Sequence, residues 1–145
     1  MPAGIFNNIK HEKGFLNHMV NEEIGEVDGK TIYRLVEDLH YVDHEGKLIV
    51  VPKGFQHDLA SVPRIPIIYE AWGNRSHREA VLHDWLYRYD SNPICTRSEA
   101  DNHFKMAMIS RGQPWRIYYF MWLGVRAGGG CSYHKLSVKH EFLPL

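Results

Sequence analysis

The stretch Ser76-His77-Arg78-Glu79-Ala80-Val81-Leu82-His83-Asp84-Trp85-Leu86-Tyr87-Arg88 decides how this chain folds. Ser76, with Glu79 three residues on, is a pair that satisfies two open backbone amides at a helix start, so the spacing predicts a helix beginning there. On that helix His83 and Tyr87 lie one turn apart on one face, while Asp84 and Arg88 make a second i, i+4 pair turned about 100° away. The surrounding Val81, Leu82, Trp85 and Leu86 are apolar. Burying an imidazole or a carboxylate among them without a partner is costly, so a partner from elsewhere in the chain is expected.

Downstream, Thr96-Arg97-Ser98-Glu99 repeats the same start signal and predicts a second helix running to Arg111, with Gly112 stopping it. Ala100, Phe104, Ala107 and Met108 fall at helical spacing as a buried stripe, and Asp101 borders it. The short linker 89–95 makes the two helices antiparallel neighbours, an arrangement that sets Asp101 opposite His83. A third helix starts near Pro114, runs through Trp115, Tyr118, Tyr119, Phe120, Trp122 and Val125, and ends at the glycines 128–130. Its rings read either as the central core helix or as an adhesive face.

Upstream the pattern changes to strands. Thr31–Val42 partly alternates and is rich in β-branched and aromatic residues; the polar turn Asp43–Gly46 leads into Leu48–Val51, giving a β-hairpin over 31–55. Residues 1–30 read as irregular or as strands, with Asp28-Gly29 offering a hairpin turn. Pro63 and Pro66 make 56–75 a stiff, extended loop, and 128–145 is a tail with weak strand character. The expected fold is therefore α+β: a small N-terminal antiparallel sheet packed on three C-terminal helices, in one domain spanning 1–145 with the helices in 76–127.

Composition narrows the function. Seventeen basic and seventeen acidic residues cancel, so no net field draws the protein to nucleic acid or an anionic bilayer. No apolar run is long enough for a membrane span. The two cysteines, Cys95 and Cys131, are too few for a disulfide scaffold and lack metal-ligand spacing. A cytoplasmic protein is the expectation.

The chemistry implied by the helix pair is hydrolytic. A carboxylate that accepts from one imidazole nitrogen fixes the tautomer and makes the other nitrogen a base toward water. Asp101 and His83 would be that dyad, and Asp84 would bind a hard cation through oxygen. In the same reading the loop brings Asp58 and Ser61 to the mouth of the pair. The competing readings are that His83 and Asp101 only hold two helices together, that Asp58 and Ser61 make local turn bonds, and that Arg64 lies on the surface. A zinc variant would use His57 or Asp58 with His83, Asp84 and His103, but His103 falls about 200° around the helix from Asp101, so both cannot readily face His83.

His83-Asp84-Trp85-Leu86-Tyr87-Arg88, followed by Ser98-Glu99-Ala100-Asp101, resembles the two-helix signature of the phospholipase A-two superfamily, particularly its prokaryotic branch. The resemblance implies His83 as catalytic base, Asp84 as calcium ligand, Tyr87 as support and Asp101 as the orienting carboxylate. The disulfides and the glycine-rich calcium loop of that family have no counterparts; His57–Arg64 stands where the loop would be.

A longer series, Val51-Pro52-Lys53-Gly54-Phe55-Gln56-His57-Asp58-Leu59-Ala60-Ser61-Val62-Pro63-Arg64, then Glu79–Arg88, then Ser98–Met108, is similar to a family of small phage and prophage proteins catalogued as a domain of unknown function. It spans Val50 to about Arg126 and includes Asp58, Ser61, His83, Asp84, Tyr87 and Asp101. It implies a phage or prophage origin, with residence in the host cytoplasm or the virion, and brings no established activity. The two readings weighed for the chain are a hydrolase of lipid or envelope material and a non-catalytic virion or assembly component that binds other phage proteins.

Overall fold

The computed structural model describes residues 14–57, 77–88 and 90–128. Asp28 and Gly29, at φ 52° and 76°, make the two-residue turn in which both positions need positive φ. They join β2 (Asn21–Val27) to β3 (Lys30–Leu35), and β6 (Gln56–His57) pairs with the other edge of β3. A second sheet has the order β1 (Gly14–Phe15), β4 (Leu39–Val42), β5 (Leu48–Val51), and every pairing in both sheets is antiparallel. The β4–β5 turn is tied by the Asp43 carboxylate, which accepts from the Glu45 and Lys47 amides at 2.9 Å each.

The single strand expected over Thr31–Val42 is instead two strands that enter different sheets. The chain breaks at Val36–Asp38 because that corner is held from several sides. Val36 donates its amide to Val20 O at 2.9 Å, Asp38 accepts the Lys53 amide at 2.7 Å, and the Asp38 carbonyl accepts from the Asn17 side chain at 2.8 Å. Strand β2, unreadable as a distinct element in the sequence, forms one edge of the β2-β3-β6 sheet.

Three helices follow: α1 (His77–Leu86), α2 (Arg97–Ser110) and α3 (Trp115–Gly128). Ser76, the expected cap of α1, lies outside the described residues. Thr96 caps α2 as expected, its hydroxyl accepting from the Glu99 amide at 3.1 Å. Gly112, at φ 76°, follows the end of that helix. Side-chain pairs fix the helix directions. Late α1 meets early α2 through His83 and Asp101, early α1 meets the end of α2 through Glu79 and Arg111, and Asp101 meets Arg126 near the end of α3. Both neighbouring helix pairs are therefore antiparallel.

The core has two parts. Val81, Leu82, Trp85 and Leu86 of α1 pack with Leu35, Leu39, Tyr41, Ile49, Val51 and Phe55 from the sheets. Ala80, Phe104, Met108, Met121 and Val125 join the three helices. At about 1.5–3 kcal/mol for each large apolar side chain, this burial supplies the force that brings His83 and Asp101 out of water. Helix α3 is not a central core helix: Met121 and Val125 face inward, but Trp115 is 67% exposed and Tyr119, Phe120 and Leu123 are exposed beside it.

Candidate functional site

Asp101 is completely buried because it sits among Ala100, Phe104 and Ala107 on the inner face of α2. An isolated carboxylate there would cost several kcal/mol of lost hydration, so its neighbours determine whether it stays charged. One carboxylate oxygen accepts from His83 Nε2 at 2.6 Å and also from the Tyr87 hydroxyl. The other accepts from Arg126 Nη1 at 2.9 Å, with Arg97 Nε 4.0 Å away. Burial alone would raise the Asp101 carboxyl, but the hydrogen bonds from His83 and Tyr87, the imidazole and Arg126 together hold it below the usual carboxylate range.

That charge state settles the imidazole. An ionised carboxylate can only accept, so Nε2 of His83 carries the proton and Nδ1 carries the lone pair. Burial lowers the His83 pKa, outweighing the pull of Asp101 in the other direction, and Arg97 adds to the lowering. The ring is thus neutral near pH 7, as a general base must be. It is held in place by Tyr87 and Phe104, whose ring centroids lie 4.0 and 4.9 Å from it. Tyr87, buried and donating to Asp101, has its hydroxyl pKa pushed upward.

His83, Tyr87 and Asp101, three of the residues singled out in the sequence, are therefore brought together in hydrogen-bonding contact. Asp84 is half-buried at the next helical position, turned away from Asp101 by the helix geometry. Arg88 forms a two-pronged pair with Asp90, both bonds 2.9 Å, and lies over the rings of Phe55 and Trp85. Asp58, Ser61 and Arg64 lie outside the described residues. His57 is buried, bonded through Nε2 to Asn21 at 3.0 Å and stacked near Tyr33 and Phe55. His103, a member of the zinc set, neighbours His44 instead of His83.

Among the described residues no group of three His, Cys, Asp or Glu side chains is arranged to hold a metal. Calcium takes six to eight oxygens, and the phospholipase resemblance offers one carboxylate for it among the described residues, Asp84. Those residues alone do not make a calcium cage.

Arg97 and Arg126 were not legible as site residues. Arg97 precedes Asp101 by one helical turn, a spacing that signals proximity, and it donates to the carbonyls of Val125 and Arg126 at the end of α3. Arg126 is distant in sequence and no local pattern marks it. Glu79, whose expected cap partner Ser76 lies outside the described residues, is fully buried and binds Arg111 at 3.1 and 3.2 Å. Burial raises the Glu79 carboxyl above its usual value, with Arg111 opposing.

Fold and site together define an α+β domain in which a helical hairpin buries a His-Asp-Tyr-Arg cluster. The chain belongs to the family described as protein of unknown function (DUF1353), whose model matches residues 33–125. No curated protein and no solved structure matches the chain. No helix among the described residues is long and apolar enough to cross a membrane.

Proposed function

We propose that this protein, of phage or prophage origin, hydrolyses ester or amide bonds in lipid or cell-envelope material, with His83 as general base. The observation that supports this reading is the 2.6 Å bond between His83 Nε2 and Asp101, made on neighbouring antiparallel helices and braced by Tyr87 one turn along. This is the disposition implied by the resemblance to the phospholipase A-two superfamily. In the reaction, His83 Nδ1 takes a proton from water as its oxygen attacks the carbonyl carbon. The imidazolium, stabilised by Asp101, then returns the proton to the departing oxygen or nitrogen as the carbon–heteroatom bond breaks. No protein nucleophile is needed and no step passes through a metal.

The non-catalytic reading is favoured by a separate observation. His83 is 1% and Asp101 0% exposed, while the rings of Trp115, Tyr119 and Phe120 face solvent. In that reading the polar cluster locks three helices together and α3 is the contact face of a virion or assembly component.

Hydrolysis of mixed phospholipid vesicles and of peptidoglycan, with and without calcium, by wild type and by His83→Gln separates the two. Turnover in wild type that the variant lacks supports the hydrolase; no turnover in either, together with the polypeptide in purified particles, supports the assembly role.

A further inference from the structure

His103 stands two positions after Asp101, about 200° around the axis of α2, so it leaves the helix on the side away from the His83 cluster. There it meets His44 in the β4–β5 turn, with ring centroids 6.0 Å apart and planes inclined by 48°. Both Nδ1 atoms are shielded from solvent and neither has a hydrogen-bond partner. A buried ring nitrogen left in that state costs about 1–3 kcal/mol, and here two of them occur on adjacent rings. Outright structural waste on both residues is a poor explanation for a pair held on such stiff supports. His103 lies mid-helix, and the turn carrying His44 is fastened by the Asp43 carboxylate to the amides of Glu45 and Lys47.

We propose that His44 and His103 form a two-histidine site for a divalent transition metal of the zinc, nickel and copper class, with water completing the coordination. The spacing fits. An imidazole nitrogen about 2.0–2.1 Å from such an ion puts the ring centre roughly 3.2 Å from it, so two rings on one ion lie at most about 6.4 Å apart and about 5.2 Å apart at a tetrahedral angle. The observed 6.0 Å falls between those values. The charges of Asp43, Glu45 and Glu99 all act on His103 and supply a negative field for a cation. The His44 side chain is 35% exposed, which leaves a path for entry and exchange. Nitrogen ligands select borderline transition ions over calcium and magnesium.

The test uses the full-length, metal-free protein titrated with zinc chloride by calorimetry, alongside thermal melts. Because the chain has ten histidines, the controls matter as much as the wild type. His44→Gln and His103→Gln should each weaken the tightest zinc event at least tenfold, the double variant should be no weaker than either single one, and His18→Gln, at an exposed position, should bind as wild type does. Zinc should raise the Tm of wild type and of His18→Gln and leave the double variant unmoved. Wild type and double variant binding zinc equally, or wild type binding none, would overturn the site. Should His103→Gln fail to fold, His44→Gln, on the surface turn, carries the comparison by itself. These outcomes do not depend on hydrolysis.

Discussion

His83 donates from Nε2 to Asp101 across 2.6 Å, and through that bond two helices of separate sequence origin share one buried charge. The carboxylate is held by groups from all three helices: His83 and Tyr87 at the end of α1, its own position on α2, and Arg126 on α3. Removing any one of them leaves the others facing an altered charge, so stability and chemistry are linked at this point.

Asp101→Asn keeps the shape but removes the charge that Arg126, His83 and Tyr87 surround. Loss of one member of a buried ion pair costs about 3–5 kcal/mol, and this substitution should fall in that range. Urea unfolding followed by circular dichroism reads it directly; a change below about 1 kcal/mol would mean the cluster is not held by its charge.

Tyr87→Phe removes the hydroxyl that donates to the ionised Asp101 carboxylate and also bonds with Arg97, without opening a cavity. Such bonds contribute about 1.5–3 kcal/mol, which in a domain of this size lowers the Tm by roughly 3–12 °C. Scanning calorimetry checks it. Activity on any substrate should fall less than it does on loss of His83, because the tyrosine braces the pair and does not touch the reacting atoms.

Acid should weaken the fold in two stages. His83 has a folded pKa below its ordinary 6.5, so the unfolded chain binds more protons there and stability is lost as the pH falls from 6.5 toward the folded value. Asp101 is also lowered, from 3.8, and adds a second loss of the same sign at more acidic pH. His103, lowered by burial, contributes in the first window as well. Urea midpoints measured from pH 8 to pH 4 should therefore decline below pH 6.5, and His83→Gln should flatten that decline.

Thr96→Ala removes the hydroxyl that accepts from the Glu99 amide at 3.1 Å. A cap of this kind contributes about 1 kcal/mol. The loss should appear in thermal melts while the His83–Asp101 bond survives, which separates general weakening of α2 from damage to the site.

Much of this arrangement was legible from local spacing. The cap at Thr96, the stripe Ala100, Phe104, Ala107 and Met108, and the turn at Asp28-Gly29 each follow from chemistry within a few residues, and the structure has all of them. The pairing of His83 with Asp101 was readable because a short linker forces adjacent helices to run antiparallel. What escaped was set by long-range contacts. The break at Val36–Asp38 depends on Val20, Asn17 and Lys53, none of which is marked as a partner by pattern. The second oxygen of Asp101 is satisfied by Arg126 from another helix. The rings of α3 admitted two readings, a core helix or an adhesive face, because aromatic content alone does not tell a buried face from an exposed one.

The most direct test of the His83–Asp101 pair as a catalytic device is release of fatty acid from mixed phospholipid vesicles, and of soluble fragments from peptidoglycan, by wild type and His83→Gln at equal folded concentration. General-base catalysis is worth about 10²–10⁴ in rate, so wild type should turn over and the variant should be slower by at least a hundredfold. Equal rates in the two proteins, or no turnover in either with or without calcium, would contradict it.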